Sequence, residues 1–194
     1  MRSDAGINPW IVRIIGGNLS GRNLIAPSSL PVRPTTDYAK SGLFNILNNR
    51  VDFEDIEVLD LFCGAGGITF EFASRGAKSV LAVDRYPGCI KFVQQTATDL
   101  KLNNIKALKN DVFKFLKHPQ RAYDIVFADP PFDLENRDEL VHSIDAGEWV
   151  KPGGCFILEH PSSEDNHWKD LGETRRYGNC SFTFFQKPLQ ANTI

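Results

Sequence analysis

From residue 58 onward the apolar positions fall into short runs separated by longer stretches with helical spacing. Val58 to Phe62, Ser79 to Val83, Ile105 to Leu108, Tyr123 to Ala128 and Cys155 to Leu158 are brief, largely apolar and end near Gly, Asp or Pro. This is the pattern of parallel strands covered on both faces. Between them, Ile68 to Arg75 is closed by Gly76, Pro87 to Leu100 carries proline at a first turn, Val112 to Leu116 follows a capping Asp111, and Asp138 to Ile144 precedes a Pro152-Gly153-Gly154 turn. These segments are predicted to be helices. Glu173 to Tyr177 and Ser181 to Gln186 flank Gly178-Asn179, an antiparallel hairpin signal.

The prediction is an α/β fold, a Rossmann-like seven-strand sheet of five parallel strands plus a C-terminal antiparallel hairpin, with helices on both faces. Ahead of it, Ile11 to Ile15 and Leu24 to Ala26 read as two strands, followed by a connection containing Pro27, Pro31 and Pro34 and a helix starting near Thr36. On that helix Leu43, Phe44, Ile46 and Leu47 can dock on the sheet. Residues 1–30 are therefore taken as a small N-terminal β-hairpin appendage and 31–194 as the main domain.

Composition narrows this picture. At 194 residues and 42% hydrophobic, one well-buried core is expected. The opening stretch carries Arg2, Asp4, Asn8 and Pro9 where a secretory signal needs an unbroken apolar run, and no later run approaches membrane-spanning length, so a cytoplasmic protein without membrane association is expected. Cys63, Cys89, Cys155 and Cys180 are scattered without metal spacing, which predicts buried thiols and neither a disulfide framework nor a metal site. Residues 1–50 carry a balance of +4 within a chain of net charge −2, leaving −6 for the remainder. A basic arm on an acidic body suits a local phosphate contact as well as an ordinary solvated arm.

The candidate chemistry lies at strand ends. Asp60 to Gly67 follows the first strand and opens a helix, where glycines let a cofactor approach the backbone. Thr69 stands where a dinucleotide fingerprint wants glycine, which weakens an NAD oxidoreductase reading. Asp60 suits a cationic amino group, such as the methionine end of S-adenosylmethionine, better than a pyrophosphate. Asp84 can accept both ribose hydroxyls, Asp111 can accept an adenine amine with Val112 against the ring, and Gly64, Gly66, Phe62, Arg85 and Asp129 complete the predicted cofactor set.

Asp129-Pro130-Pro131-Phe132 ends the fourth strand. An exocyclic base amine is a poor nucleophile because its lone pair is delocalised into the ring. The Asp129 carboxylate and the Pro130 carbonyl can hold its two N–H bonds and favour a pyramidal nitrogen. The prolines remove competing donors and fix the backbone, while Phe132 can stack on an extruded base. An ordinary aspartate is ionised at neutral pH, so Asp129 is expected to be an acceptor as it stands. His160 is read as structural, Cys63 as a small buried filler, and Phe182, Phe184 and Phe185 as hairpin packing.

The Asp129 tetrapeptide with the Asp60 glycine loop resembles the amino-group methyltransferases. Arg13-Ile14-Ile15-Gly16-Gly17, Ser20-Gly21-Arg22 and Arg33-Pro34-Thr35-Thr36-Asp37, followed by Leu43-Phe44-Asn45, narrow the resemblance to the RsmD family of bacterial 16S rRNA guanine-N2 methyltransferases, from Val12 to the final hairpin. It implies S-adenosylmethionine as donor, Asp129 to Phe132 as the catalytic segment, and Arg13, Arg22, Arg33, Thr35, Thr36 and Lys40 as RNA contacts. It also implies 16S rRNA within a small subunit or late assembly intermediate as partner, and a monomer. The tetrapeptide alone leaves open an adenine-N6 methyltransferase acting on DNA or RNA, and a non-catalytic cofactor- or RNA-binding module.

Overall fold

A computed structural model describes residues 10–32, 35–164 and 167–189. Two antiparallel strands, β1 (Trp10–Arg13) and β2 (Asn23–Ala26), form the N-terminal hairpin, with Trp10 opposite Ala26 and Arg13 opposite Asn23. The rest alternates: α1 (Asp37–Leu47), β3 (Glu57–Leu61), α2 (Gly67–Ser74), β4 (Ser79–Asp84), α3 (Pro87–Asp99), β5 (Ile105–Lys109), α4 (Val112–Leu116), β6 (Tyr123–Ala128), α5 (Arg137–Ala146) and β7 (Val150–Pro161). The hairpin of β8 (Glu173–Tyr177) and β9 (Cys180–Gln186) closes it. The sheet order is β5-β4-β3-β6-β7-β9-β8, with β3 to β7 parallel and β9 antiparallel to both its neighbours. The strand order reverses beside β3, so the crevice for a ligand opens at the carboxyl ends of β3 and β6.

Side chains alternate across the strands. Leu59, Leu61, Val126, Ala128, Phe156 and Leu158 meet α4 and α5 on one face, in a core that encloses Trp149 and Trp168. Val58, Ile125, Phe127, Cys155 and Ile157 meet α1 and α2 on the other. α1 begins where Thr36 accepts the Ala39 N–H at 3.2 Å, a cap that contributes about 1 kcal/mol. Gly42 sits within this helix because the Tyr177 ring lies against it; a Cβ there would come within 1.9 Å of the ring.

The hairpin is tied to the body. Val12, Ile14, Leu24 and Ala26 share a buried cluster with Phe70, Ile90 and Val93, and the Ile15 N–H donates to the buried Glu71 carboxylate at 2.7 Å. Two expectations change. The Pro152 to Gly154 stretch is a bulge inside β7, not a turn ahead of it: Tyr123 pairs with Val150 but Ile125 pairs with Cys155, so the extra residues loop out while the strand continues. Phe62, expected at the end of a strand, lies just past β3 with φ 60°, in the left-handed region. Among the described residues no helix is long and apolar enough to cross a membrane.

Candidate active site

The carboxyl ends of the central strands open into a cavity of about 780 Å³. Four acidic side chains reach it from the same face of the sheet, because each continues the parity of that face: Asp60 follows Val58, Asp84 follows Ala82, Asp129 follows Phe127, and Glu159 follows Ile157. Asp60, Asp84 and Glu159 are buried and Asp129 is half-buried.

The glycine turn bridges β3 and α2. Gly66 takes φ 77° as the residue before the helix, and a Cβ there would lie 2.7 Å from the Phe70 ring and 2.9 Å from Val93, so only glycine fits. It supports the turn from behind, while Gly64 faces the cavity. Asp84 holds the same turn by accepting the Gly64 N–H at 2.9 Å, and it orders the start of α3 by accepting the Tyr86 N–H at 2.8 Å. Asp60 accepts the Thr69 hydroxyl, which explains the threonine where a dinucleotide fold wants glycine. Asp111 caps α4 through the Lys114 N–H at 3.0 Å and lines the cavity beside Val112. Arg85 lies at the rim, its guanidinium donating to the Tyr86 hydroxyl at 2.7 Å.

At the other end, Asp129, Pro130, Pro131 and Phe132 all line the cavity, and Phe132 is 45% exposed with its ring free to stack. Among the described residues no hydrogen bond uses the Asp129 carboxyl or the Pro130 carbonyl. The following loop is pinned by the buried Arg137, which donates to the carbonyls of Pro131 at 2.8 Å and Leu134 at 2.9 Å and pairs with Glu164 at 3.1 Å. Arg137 and Glu159 escaped the sequence reading. Glu159 had a signal, a lone carboxylate ending an apolar strand, but Arg137 acts through loop carbonyls, which no residue pattern announces.

Electrostatics correct one expectation. Asp129 is not an ordinary aspartate in the free protein: burial, then the nearby Glu159 and Asp60 charges, push its carboxyl well up, opposed by Arg137. Burial likewise lifts Glu159 to about 7, against the hydrogen bond from Thr35, and Asp60 to about 7, against the Thr69 bond. Such a wall favours a positively charged ligand, whose charge lowers the cost of ionising these groups. The cavity volume, the glycine turn and the acidic wall therefore fit S-adenosylmethionine, with its ammonium and sulfonium. Cys63 is buried, and burial pushes its thiol well up, so it is an inert filler. His160 is structural, its Nε2 2.9 Å from the Thr183 hydroxyl and its ring edge-on to Trp168. Phe182 and Phe184 are buried in the core.

The expected RNA contacts divide. Arg13 and Arg22 are exposed on the hairpin. Arg33 lies outside the described residues. Thr35 and Thr36 line the cavity, where Thr35 donates to Glu159 at 3.0 Å and Thr36 caps α1. Lys40 is not available to RNA. It shares the inner face of α1 with Leu43, Phe44 and Leu47, and its ammonium, 2% exposed, binds the Arg13 carbonyl, Asp37 and Glu71.

The family described as conserved hypothetical protein 95 matches residues 12–186. The Escherichia coli K12 ribosomal RNA small subunit methyltransferase D is 31% identical over 189 residues, covering 94% of this chain and 93% of that protein. Among solved structures, an Escherichia coli putative methyltransferase, yhhF, superposes with a TM-score of 0.79 at 26% identity, covering 93% of this chain and all of that one. A Thermus thermophilus 16S rRNA N2 methyltransferase, RsmC, solved with AdoMet and guanosine, shares the fold at a TM-score of 0.71 and 23% identity, over 92% of this chain and 50% of that one.

Proposed function

We propose, because this chain belongs to the conserved hypothetical protein 95 family, that of the small subunit methyltransferase D proteins, that it methylates the exocyclic N2 amine of a guanine in 16S rRNA. The observation that carries this reading is the unpaired acceptor pair, the Asp129 carboxyl and the Pro130 carbonyl, fixed at the mouth of the acidic cavity beside the exposed Phe132.

The donor S-adenosylmethionine supplies an electrophilic methyl group on a sulfonium. Asp60, Asp84, Asp111 and Val112 are the residues to hold it, and Phe62, Gly64 and Arg85 border them. Phe132 stacks on the extruded base, and Asp129 with Pro130 accepts its two N–H bonds, turning the nitrogen lone pair towards the methyl. Asp129 serves as acceptor once its proton has left, a loss that the positive donor favours. The N–CH3 bond would form as the sulfonium S–CH3 bond breaks, leaving a neutral thioether and an aminium that is acidic and releases a proton to solvent.

The direct experiment incubates small-subunit particles from a strain lacking the enzyme with labelled donor and identifies the product nucleoside by mass spectrometry. N2-methylguanosine is expected; N6-methyladenosine, or no transfer by a folded and donor-loaded sample, overturns the reading.

For the donor site, Asp84→Ala is expected to weaken S-adenosylmethionine binding by roughly 1.5–3 kcal/mol, about 10- to 150-fold, because it removes a charged acceptor and an anchor of the glycine turn. Calorimetry checks it, and unchanged affinity in a folded mutant removes Asp84 from the site.

The hairpin, within the proposed appendage of residues 1–30, is the proposed RNA contact through Arg13 and Arg22, with Arg33 beyond it in sequence. Neutralising Arg13 and Arg22 together is expected to weaken binding to the particle and to lower the slope of log affinity against log salt by roughly one to two. Donor affinity should not change. An unaltered slope returns both arginines to the solvated surface.

A further inference from the structure

We propose that Glu159 selects the base, accepting the N1–H of the target guanine while Asp129 and Pro130 accept from its N2 amine. The inference rests on the guanine reading above and adds a residue to it.

The geometry points to this pairing. Ala128 of β6 pairs with Leu158 of β7, so Asp129 and Glu159 follow side by side on neighbouring strands, which lie about 4.8 Å apart. Both side chains rise from the same sheet face and line the same cavity. One Glu159 partner is fixed: the Thr35 hydroxyl donates to Oε2 at 3.0 Å, while the Cys180 thiol gives its proton to the Tyr177 carbonyl. The Thr35 bond holds the carboxylate in place and leaves it room for a further donor. A buried carboxylate 4% exposed, paired with no lysine or arginine among the described residues, is costly unless it serves something.

Base chemistry supplies the match. Guanine presents two neighbouring donors on its Watson–Crick edge, N1–H and the N2 amine. Adenine and cytosine each present an amine beside a bare ring-nitrogen acceptor. A wall of two adjacent acceptors therefore fits guanine and turns a carboxylate lone pair against the ring nitrogen of the others. A site that leaves a buried polar group unpaired rejects the wrong ligand strongly. The same logic separates guanine from 2-aminopurine, which keeps the N2 amine but has an acceptor at N1.

The test uses 16S rRNA in which, in part of the molecules, a ligated synthetic segment carries 2-aminopurine riboside in place of the target guanosine, assembled into particles. After reaction with labelled donor at pH 8.5, where Glu159 is ionised, the RNA is digested to nucleosides. Mass spectrometry then compares methylated guanosine with methylated 2-aminopurine riboside. Wild-type enzyme is expected to favour guanine by a factor on the order of 100 or more. Glu159→Gln keeps the shape and the acceptor for Thr35 but presents an N–H to the base, so the preference should fall by at least tenfold and can invert.

A merely structural role, tying residues 35 and 36 to β7, predicts instead equal losses on both bases in Glu159→Gln. That result, or a wild-type enzyme that methylates both bases alike, overturns the inference. The wild-type arm decides even if the variant fails to fold. Methyl transfer to adenosine, by contrast, defeats the guanine reading itself and is seen in the same digest.

Discussion

Asp129→Ala is expected to keep S-adenosylmethionine affinity within a few-fold of wild type and to lower the single-turnover methylation rate by about 10²–10⁴, the range associated with losing one positioned proton acceptor or transition-state partner. The reason is where this carboxyl points. It reaches the cavity with no hydrogen bond from any described residue, beside the equally unengaged Pro130 carbonyl, while Asp84 and Asp60 are already engaged with the glycine turn and Thr69. Its partner is therefore the base, and its loss is felt when the nitrogen must become pyramidal. Asp129→Asn keeps the volume but offers an amide N–H where an acceptor is required, so it should be nearly as slow. Removing Asp129 also relieves the repulsion that Glu159 and Asp60 exert on it, so neither variant should unfold. Stopped single-turnover assays with donor saturated check this, and rates within threefold of wild type for both variants would refute the acceptor role.

The parallel sheet was legible because every strand is a short apolar run with a polar stop, and those stops are where the cavity formed. The four acidic groups share one face by parity: Asp60 is two residues from Val58, Asp84 four from Val80, Asp129 four from Ile125 and Glu159 four from Cys155. Counting by twos along each strand would have added Glu159 to the site. Lys40 was carried over as an RNA contact from the resemblance, without regard to helical period. It stands three, four and seven residues before Leu43, Phe44 and Leu47, on the buried stripe of α1, and its partner Glu71 lies on a different helix. The ion pair that buries it is a tertiary fact. So are the Arg137 bonds to the loop after Asp129, and the raised carboxyls, which depend on how much water the finished fold removes.

Those raised carboxyls carry the second large effect, an opposite pH dependence of activity and of stability. Asp60 on β3 and Glu159 on β7 are each lifted to about 7, and Asp129 on β6 is raised by burial and then by its neighbours. The other groups facing them are Asp84 on β4, Thr69 on α2, Cys180 on β9, Thr35 before α1 and the Arg137 guanidinium on α5. Acceptance of guanine N–H bonds requires ionised carboxylates, so the single-turnover rate should fall as pH drops below about 7, approaching tenfold per pH unit where one ionisation governs it.

Stability runs the other way. Both folded values lie above the ordinary carboxyl values of 3.8 and 4.5. Protonation therefore favours the fold, an advantage fully present at acid pH and lost as pH rises through about 7. Each group contributes on the order of 3–4 kcal/mol to that loss. The ligand-free melting temperature should then decline from pH 5 to pH 8 by about 10 °C or more, at roughly 2–4 °C per kcal/mol for a chain of this size. S-adenosylmethionine brings two positive charges into the acidic cavity, so the melting shift it produces should be larger at pH 8 than at pH 5.5. Its demethylated product carries one positive charge fewer and should restore less. Scanning melts across pH with no ligand, donor and product separate these cases. A ligand-free melting temperature that rises with pH, together with a donor shift indifferent to pH, would show that these carboxyls are already ionised and that the acidic wall does not sense the donor's charge.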